Sequence, residues 1–195
     1  MPRMSEAEKR RSHNRILDAA AQLFRERGVE ATSVADVMKA AGMTHGGFYR
    51  HFESKEDLIA ASFRHAVDDV VSGMEREESS EGRGKERQDY IAKYLSQSHV
   101  QDSRHGCPLA AMGAELARTR GAARHAGAQA SDRMAALLQD TPETGSDQGI
   151  AAMALLMGTI ILARLTENEK EADRALEAGR TAIKLLQDHW PKDKL

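Results

Sequence analysis

Apolar residues recur along this chain at the spacing of an α-helix, and no stretch shows the sustained alternation of a β-strand. Near the N-terminus, for example, Ile16, Ala20 and Leu23 fall on one helical face. Strong helix formers such as Ala, Glu, Arg and Leu dominate the composition, and aromatic residues make up only 4%. We therefore expect an all-α fold, and a length of 195 residues suits one large domain or two small ones.

A compact pattern of caps and a turn follows the first helix. Ser33, with Asp36 three residues later, forms a capping box that predicts the start of a short second helix. Gly42 is placed to end that helix in a left-handed conformation, and Thr44 is placed to cap a third one. Two short helices joined by a turn that begins with glycine are typical of a helix-turn-helix. We therefore expect a DNA-binding motif near the N-terminus.

Longer helices are expected in the rest of the chain. Residues 54–57 (SKED) form another capping box, which opens a fourth helix to about Met74. The segment 75–85 is rich in Glu, Ser, Gly and Arg, so we expect a loop there, at the boundary between functional parts. Further apolar patterns predict helices near residues 90–95, 108–117, 134–138, 148–165 and 171–189, with a turn at 141–146.

Residues 31–58 resemble the TetR family of transcriptional regulators. The helix-turn-helix is joined there to FYRHF at residues 48–52 and to SKEDL at residues 54–58, in the order that the family shows. The resemblance covers about residues 16–58, and the remainder is similar only in length and helical character. It implies a homodimer, usually a repressor, with an N-terminal three-helix DNA-binding domain. It also implies a C-terminal helical domain that dimerises and binds a small molecule, which releases the DNA.

The charge distribution agrees with such a division. We place the DNA-binding domain at residues 1–58 and the ligand-sensing and dimerisation domain at residues 59–195. Residues 1–55 carry ten Lys and Arg against seven Asp and Glu, a net charge of +3. The whole chain has a net charge of −2, so the remainder carries −5. A basic N-terminal part followed by an acidic remainder favours binding of a polyanion by the N-terminal part, here a double-stranded DNA operator.

The residue types that bind DNA stand at the ends of the short helices. Phosphates are neutralised by Lys and Arg and oriented by hydroxyl groups and helix N-termini, and base edges are read in the groove. The candidate DNA contacts are Thr32, Ser33, Thr44, His45, Gly46, Tyr49, Arg50, His51 and Lys55. Thr32 and Ser33 could equally be helix caps alone. Tyr49 could belong to the core, and Lys55 could be an ordinary surface lysine. For His51, packing or capping is favoured over base reading.

The last two helices carry the expected dimer interface. The apolar run 150–162 is shorter than the ~20 residues that span a bilayer, so we expect a buried helix and no membrane anchor. The N-terminus lacks the apolar core of a secretion signal, so a cytoplasmic protein is expected. The resemblance implies that both helices pair with their copies, and the alternative is a core within one chain. The expected interface residues are Ile150, Leu155, Gly158, Ile161, Leu176, Ile183 and Leu186.

An apolar cavity for the effector is expected among the middle helices. Its candidate lining residues are Phe63, Tyr90, Tyr94, Cys107, Met112, Leu116, Met134 and Met153. At helical spacing the same residues also describe an ordinary hydrophobic core, and that alternative stays open. The expected effector is a small apolar or electrophilic molecule.

Cys107 is the one cysteine, so no internal disulfide can form. Pro108 suits the first position of a helix, which makes Cys107 the N-cap residue. Its sulfur would face free backbone amides, with Arg104 and His105 close in sequence, and such surroundings favour the reactive thiolate. Two interpretations stay open: a sensor of oxidants or electrophiles, and a small buried packing residue.

Signatures of an enzyme are missing from the sequence. There is no glycine-rich phosphate loop, no G-x-S-x-G elbow and no paired metal-type Cys and His spacing. His99 and His105 lie near Cys107, but scattered histidines in a solvated loop are the commoner case. We expect no enzymatic activity, no cofactor and no metal site. A ligand-binding helical dimer without DNA-binding activity is the remaining rival.

Overall fold

The computed structural model describes residues 5–140 and 145–191. These residues form α-helices and one short 3₁₀ helix, and none of them lies in a strand, which confirms the all-α expectation. The α-helices are α1 (Glu6–Arg27), α2 (Val34–Ala40), α3 (Lys55–Arg76), α4 (Ser80–Tyr94), α5 (Gln97–Gln101), α6 (Pro108–Arg118), α7 (Ala122–Leu138), α8 (Gly145–Arg164) and α9 (Glu169–His189). The 3₁₀ helix, His45–Arg50, lies between α2 and α3.

The N-terminal helices share one small core. Ser5 caps α1 by accepting a hydrogen bond from the Glu8 amide at 3.2 Å, and the Glu8 carboxylate accepts one from the Ser5 amide at 2.8 Å. The buried face of α1 then packs on α2 and α3 through fully buried side chains such as Ile16 and Phe24. This core holds α2 and the 3₁₀ helix in place at the surface.

α3 links the two halves of the protein. It runs without interruption from Lys55 to Arg76, so the expected boundary between residues 58 and 59 falls inside a continuous helix. The loop expected at 75–85 is wrong in its extent, because only three residues separate α3 from α4. Ser79 caps α4 by accepting a hydrogen bond from the Gly82 amide at 3.0 Å, which starts a helix in spite of its glycines.

The C-terminal helices pack closely around α8. α7 and α9 flank α8, α3 packs on α7, and α6 lies between α1 and α7. A Cβ at Gly149 of α8 would overlap the carbonyl oxygen of Ala135 on α7, so only glycine fits there. α8 begins three residues earlier than expected, at Gly145, and α9 begins at Glu169 behind the cap Asn168. Most of the turn expected at 141–146 lies outside the described residues.

α8 is longer than its central apolar run. Within the described residues, Asp147–Arg164, which extends the apolar run 150–162 at both ends, is long and apolar enough to cross a membrane by length and composition. Its inner face, which includes Leu156 and Ile160, is buried within the chain. Only 39% of the segment is buried, so much of its apolar surface is left uncovered by the single chain.

Candidate nucleic-acid interface and internal cleft

Local hydrogen bonds build the first half of the helix-turn-helix as the sequence predicts. The Ser33 hydroxyl accepts from the Asp36 amide at 3.1 Å, and the Asp36 carboxylate accepts from the Ser33 amide at 2.9 Å. Gly42 has φ of +68°, the left-handed conformation expected after α2. The Met43 amide then donates to the Met38 carbonyl at 2.8 Å, which closes the turn.

The third helix is a 3₁₀ helix rather than an α-helix. Thr44 is its N-cap residue, as expected, and has the extended backbone conformation of a cap, but its side chain makes no capping hydrogen bond. Gly46 and Gly47 weaken an α-helix by about 1 kcal/mol each relative to Ala, which favours the shorter, tighter turn. A Cβ at Gly46 would meet nothing within 4 Å, so packing inside the chain does not require glycine there.

The 3₁₀ helix is anchored on one side and free on the other. Phe48 is buried, and its ring lies 5.7 Å from that of Phe52, which is also buried. Tyr49 contacts Phe48 edge-on but remains 71% exposed, so it is not the core aromatic of the alternative interpretation. His45 and Arg50 are exposed as well. This surface therefore presents a tyrosine hydroxyl and basic groups to solvent.

Lys55 occupies the first position of α3. Ser54 caps that helix by accepting from the Asp57 amide at 3.1 Å. Lys55 is half-buried and forms no ion pair with the described residues. A cation without a partner in a first helical turn opposes the helix dipole, and an anion beside it relieves the conflict.

Two of the candidate contacts are used inside the protein. Thr32 is 1% exposed and donates its hydroxyl hydrogen to the Gly28 carbonyl at 2.8 Å, so its candidacy as a DNA contact is wrong. His51 is half-buried, and its ring lies 5.8 Å from that of His13. Burial lowers the pKa of His51, which favours the neutral ring and the packing role. Ser33 is exposed, but its hydroxyl is occupied by the Asp36 cap.

A cleft of about 410 Å³ opens between α3, α4 and the segment before α6. Three of the candidate lining residues border it, namely Tyr90, Tyr94 and Cys107. The same three residues also border an internal void of about 10 Å³, together with Met134 and Met153. Phe63, Met112 and Leu116 line neither space and are fully buried, so the ordinary-core alternative is correct for them. Residues that sequence analysis missed in the cleft are Asp69, Val70, Lys93, Ser98, His99, Asp102, His105 and Gly106.

Two buried hydroxyls lie between the cleft and the void. The hydroxyls of Tyr90 and Tyr94 are buried and bond to no nitrogen or oxygen atom of the described residues, and Cys107 lies beside Tyr94. Burial raises the pKa of Tyr94 far above its ordinary value, so this hydroxyl stays protonated. Each tyrosine can therefore donate a hydrogen bond to a molecule that enters the cleft.

Cys107 is the N-cap residue of α6, as expected, and Pro108 follows at the first position. The sulfur is buried and makes no capping hydrogen bond, so the expected contact with free amides is wrong. Arg104 and His105 are not turned toward the thiol either. Arg104 donates to Glu26 at 2.8 Å, and His105 pairs with Asp102 at 2.8 Å.

His99 fastens the segment that carries Cys107. Its Nδ1 lies 2.7 Å from the Tyr94 carbonyl oxygen, which can only accept, and its Nε2 accepts from the Cys107 amide at 3.0 Å. This pattern requires the neutral ring with hydrogen on Nδ1, and burial lowers the pKa of His99 in agreement with it. Arg164 of α8 donates to the His99 carbonyl at 2.8 Å. The expectation that His99 is a solvated loop histidine is wrong.

α6 connects the cleft with the helix-turn-helix. Its N-cap residue, Cys107, borders the cleft, and a residue near its end contacts the chain just before α2. The Glu115 carboxylate near its end accepts from the amides of Val29 at 3.0 Å and of Glu30 at 3.3 Å. These amides lie between α1 and α2, a few residues before the Ser33 cap. The end of α6 is therefore attached to the connection between α1 and α2.

The outer faces of α8 and α9 expose apolar residues at helical spacing. Ile150, Ile161 and Leu162 are exposed on α8, as are Leu165 directly after it and Leu185 on α9. Of the expected interface residues, Leu155, Gly158 and Leu186 are partly buried. Leu176 and Ile183, at 1% and 4% exposure, face the core of the same chain. Their assignment to the dimer interface is therefore wrong. The prediction failed because the periodicity of α9 identifies an apolar face but does not show whether the same chain or a partner covers it.

Comparison with known proteins agrees with this architecture. Residues 16–62 match the sequence profile described as "Bacterial regulatory proteins, tetR family", and residues 84–179 match "Tetracyclin repressor-like, C-terminal domain". A crystal structure of a TetR-family transcriptional regulator from Cytophaga hutchinsonii superposes with a TM-score of 0.70 at 22% identity. The superposition covers 99% of this chain and 100% of that one, and at this identity it shows the fold alone.

Relatives also match in sequence. The HTH-type transcriptional repressor KstR2 of Rhodococcus jostii is 47% identical over 55 residues, which are 28% of this chain and only 27% of that relative. An uncharacterized HTH-type transcriptional regulator of Mycobacterium tuberculosis is 30% identical over 165 residues, which are 77% of this chain and 83% of the relative. With both halves of the chain matched in the same order, the protein belongs to the TetR family of transcriptional regulators, which bind DNA and are not enzymes.

Proposed function

We propose that the protein is a repressor that binds a palindromic operator as a homodimer. The observation that carries the proposal is the exposed 3₁₀ helix with Tyr49, beside the N-terminus of α3, where the half-buried Lys55 has no ionic partner among the described residues. Residues 1–58 serve as the DNA-binding unit and residues 59–195 as the sensing and dimerisation unit, with α3 shared between them. The working compartment is the cytoplasm, where the chromosome lies.

The candidate contacts divide into two roles. Thr44, Tyr49 and Lys55 bind phosphates, because a hydroxyl, a phenol and an ammonium group position the protein without reading sequence. His45 and Arg50 are the side chains that can reach base edges. Gly46 allows the backbone to approach the groove closely. Packing among the described residues does not account for this glycine, because a Cβ there would meet none of their atoms within 4 Å.

A mobility-shift assay on DNA upstream of the protein's own gene tests the operator proposal. We expect a saturable complex with the wild type and a much weaker one with Lys55→Ala. Lys170→Ala is the matched control, because Lys170 lies on α9 in the other half of the protein. Equal affinity of the Lys55→Ala and Lys170→Ala proteins on a confirmed operator would contradict the role of Lys55.

Dimerisation accounts for the apolar outer face of α8. Four large apolar side chains on α8 and α9, and Leu165 directly after α8, are exposed, and a second copy packed on this face would bury them, as in obligate dimer interfaces. A Cβ at Gly158 would meet nothing within 4 Å on the single chain, which leaves room for close approach of a partner helix. The symmetric dimer presents two 3₁₀ helices to half-sites about one helical turn apart, or a multiple of it.

The cleft beside Cys107 is the site for the effector in this proposal. Val70 and the two tyrosine rings, the buried tyrosine hydroxyls and the thiol suit a small apolar or electrophilic molecule, such as a quinone. The sulfur would add to a ring carbon of the quinone, the thiol hydrogen would pass to one quinone oxygen, and the hydrogen of that ring carbon would pass to the other oxygen, giving a hydroquinone thioether. α6 and Glu115 would carry the resulting movement to the start of α2.

Operator release by a quinone distinguishes the two kinds of effector. If Cys107 is the sensor, the quinone releases the wild type, the Cys107→Ser protein stays bound, and mass spectrometry finds one adduct on Cys107. Identical release of the two proteins would remove the thiol from the mechanism. A noncovalent ligand of the cleft would then be the effector.

A further inference from the structure

Three side chains that can ligate a metal meet on the surface between α1 and α3, at the border of the cleft. Asp18 lies on α1, and His65 and Asp69 lie one turn apart on α3. The His65 Nε2 atom is 2.6 Å from an Asp18 carboxylate oxygen and 3.8 Å from an Asp69 carboxylate oxygen. All three donor atoms lie within 4.8 Å of one another. The folded chain thus collects one imidazole and two carboxylates at one point.

The imidazole cannot hydrogen-bond to both carboxylates at once. A neutral imidazole has a single hydrogen, and when that hydrogen is on Nε2 it can serve Asp18 but not Asp69 at 3.8 Å. Arg25 is close enough for Asp69 to raise its pKa against the effect of burial, but it forms no ion pair with Asp69 among the described residues, and its Nε donates to the Arg104 carbonyl. Two carboxylates therefore share one ring edge, and a cation between them would balance their charge.

The donor set points to a class of metal. Imidazole nitrogen with carboxylate oxygen suits Zn²⁺ and similar transition-metal ions, whereas Mg²⁺ and Ca²⁺ prefer oxygen ligands alone. Zn²⁺ binds His nitrogen and carboxylate oxygen at about 2.0–2.2 Å, which separates tetrahedral donors by roughly 3.4 Å. The two distances from His65 Nε2 to the carboxylate oxygens, 2.6 and 3.8 Å, lie on either side of that value, so small side-chain rotations would complete the site. Asp18 and Asp69 are 54% and 69% exposed, so an ion can enter from solvent and keep water as a further ligand.

We propose that Asp18, His65 and Asp69 bind a divalent transition-metal ion of the Zn²⁺ class. The ion fastens α1, the first helix of the DNA-binding unit, to α3, the helix that continues into the sensing unit. Asp69 also lines the cleft, so the ion lies at its border. The site does not depend on the proposed operator or effector, and metal binding can be measured on the protein alone.

The test is titration of the full-length, untagged protein with Co²⁺ and Zn²⁺. We expect one Co²⁺ ion per chain with visible absorption bands, displaced by one equivalent of Zn²⁺. Removing a residue that only hydrogen-bonds to a metal ligand lowers metal affinity ~10–100-fold. His65→Gln and Asp69→Asn change proposed ligands themselves, so each should weaken binding at least tenfold. Metal at a hundred times its Kd should also raise the Tm of the wild type by roughly 5–10 °C, and the Tm of the variants less.

The control is a second exposed His–Asp pair that offers only two donors. His105 and Asp102 lie 2.8 Å apart, and Asp102→Asn should leave Co²⁺ affinity unchanged. Absence of binding by the wild type at millimolar Co²⁺ would overturn the proposal. It would also be overturned if affinity falls in Asp102→Asn but not in Asp69→Asn, which would locate the ion elsewhere. If His65→Gln does not fold, the exposed Asp69→Asn substitution decides the question.

Discussion

The contact between Glu115 and the start of the helix-turn-helix can be tested by Glu115→Gln. The carboxylate accepts from the Val29 amide at 3.0 and 3.1 Å and from the Glu30 amide at 3.3 Å. A fully buried hydrogen bond to a charged group contributes about 1.5–3 kcal/mol. Glu115 is half-buried and the Glu30 bond is long, so the lower end applies. Glutamine keeps one acceptor oxygen, and we expect a decrease of about 1 kcal/mol in unfolding free energy.

Urea unfolding followed by circular dichroism measures this decrease. In a chain of this length 1 kcal/mol corresponds to about 2–4 °C in Tm, which is readily resolved. Glu177→Gln is the matched control, because Glu177 is 70% exposed, pairs with Arg180 on the same helix and should change stability by less than about 0.5 kcal/mol. If the two variants are equally stable, the Glu115 contact does not hold α6 to the α1–α2 connection and the coupling route is wrong.

The remaining predictions concern packing, assembly and pH. Gly149→Ala should destabilise the protein by about 3 kcal/mol or more, since its Cβ would overlap the Ala135 carbonyl, and differential scanning fluorimetry measures the change. Gly158→Ala should leave the single chain folded but weaken the dimer, and an unchanged dimer dissociation constant would exclude Gly158 from the interface. Leu165→Glu, at a side chain that is 75% exposed, should give a folded monomer in sedimentation velocity. Burial lowers the pKa of His99 in the folded protein below its value of about 6.5 in the unfolded chain. The neutral ring therefore contributes to the unfolding free energy at pH values above about 6.5, and this contribution is lost as the pH falls through the lowered folded pKa. Tm should therefore drop from pH 7 to pH 5, and less so in His99→Gln.

Local signals in the sequence predict local structure well. The capping box at Ser33, the left-handed Gly42 and the Cys107–Pro108 start of α6 all depend on residues within three or four positions of each other. The start of α4 was missed, because glycines and charges near Ser79 resemble a loop while the cap itself starts a helix. The 3₁₀ geometry of His45–Arg50 was also missed, since helical periodicity does not distinguish the two kinds of turn over six residues.

Contacts between distant residues could not be predicted from spacing. Apolar periodicity identified the face of α9 that carries Leu176 but not that the same chain covers it. The bond from Cys107 to His99 joins two helical segments, and Asp18 lies 47 residues from His65. Metal-site motifs are recognised in a sequence by closely spaced Cys and His, so a cluster assembled by two packed helices leaves no such signal. Tertiary packing decides these positions.

The salt dependence of operator binding tests the central claim most directly. Fluorescence anisotropy of a labelled operator is measured from about 50 to 300 mM salt, with the wild type, Lys55→Ala and Tyr49→Phe. If the 3₁₀ helix and the start of α3 bind phosphates, removing the Lys55 ammonium lowers the slope of log affinity against log salt by about 1 per protomer, and so by about 2 in a dimer. Tyr49→Phe should weaken binding without changing the preferred sequence. An unchanged slope and affinity in Lys55→Ala would show that this face does not bind the DNA.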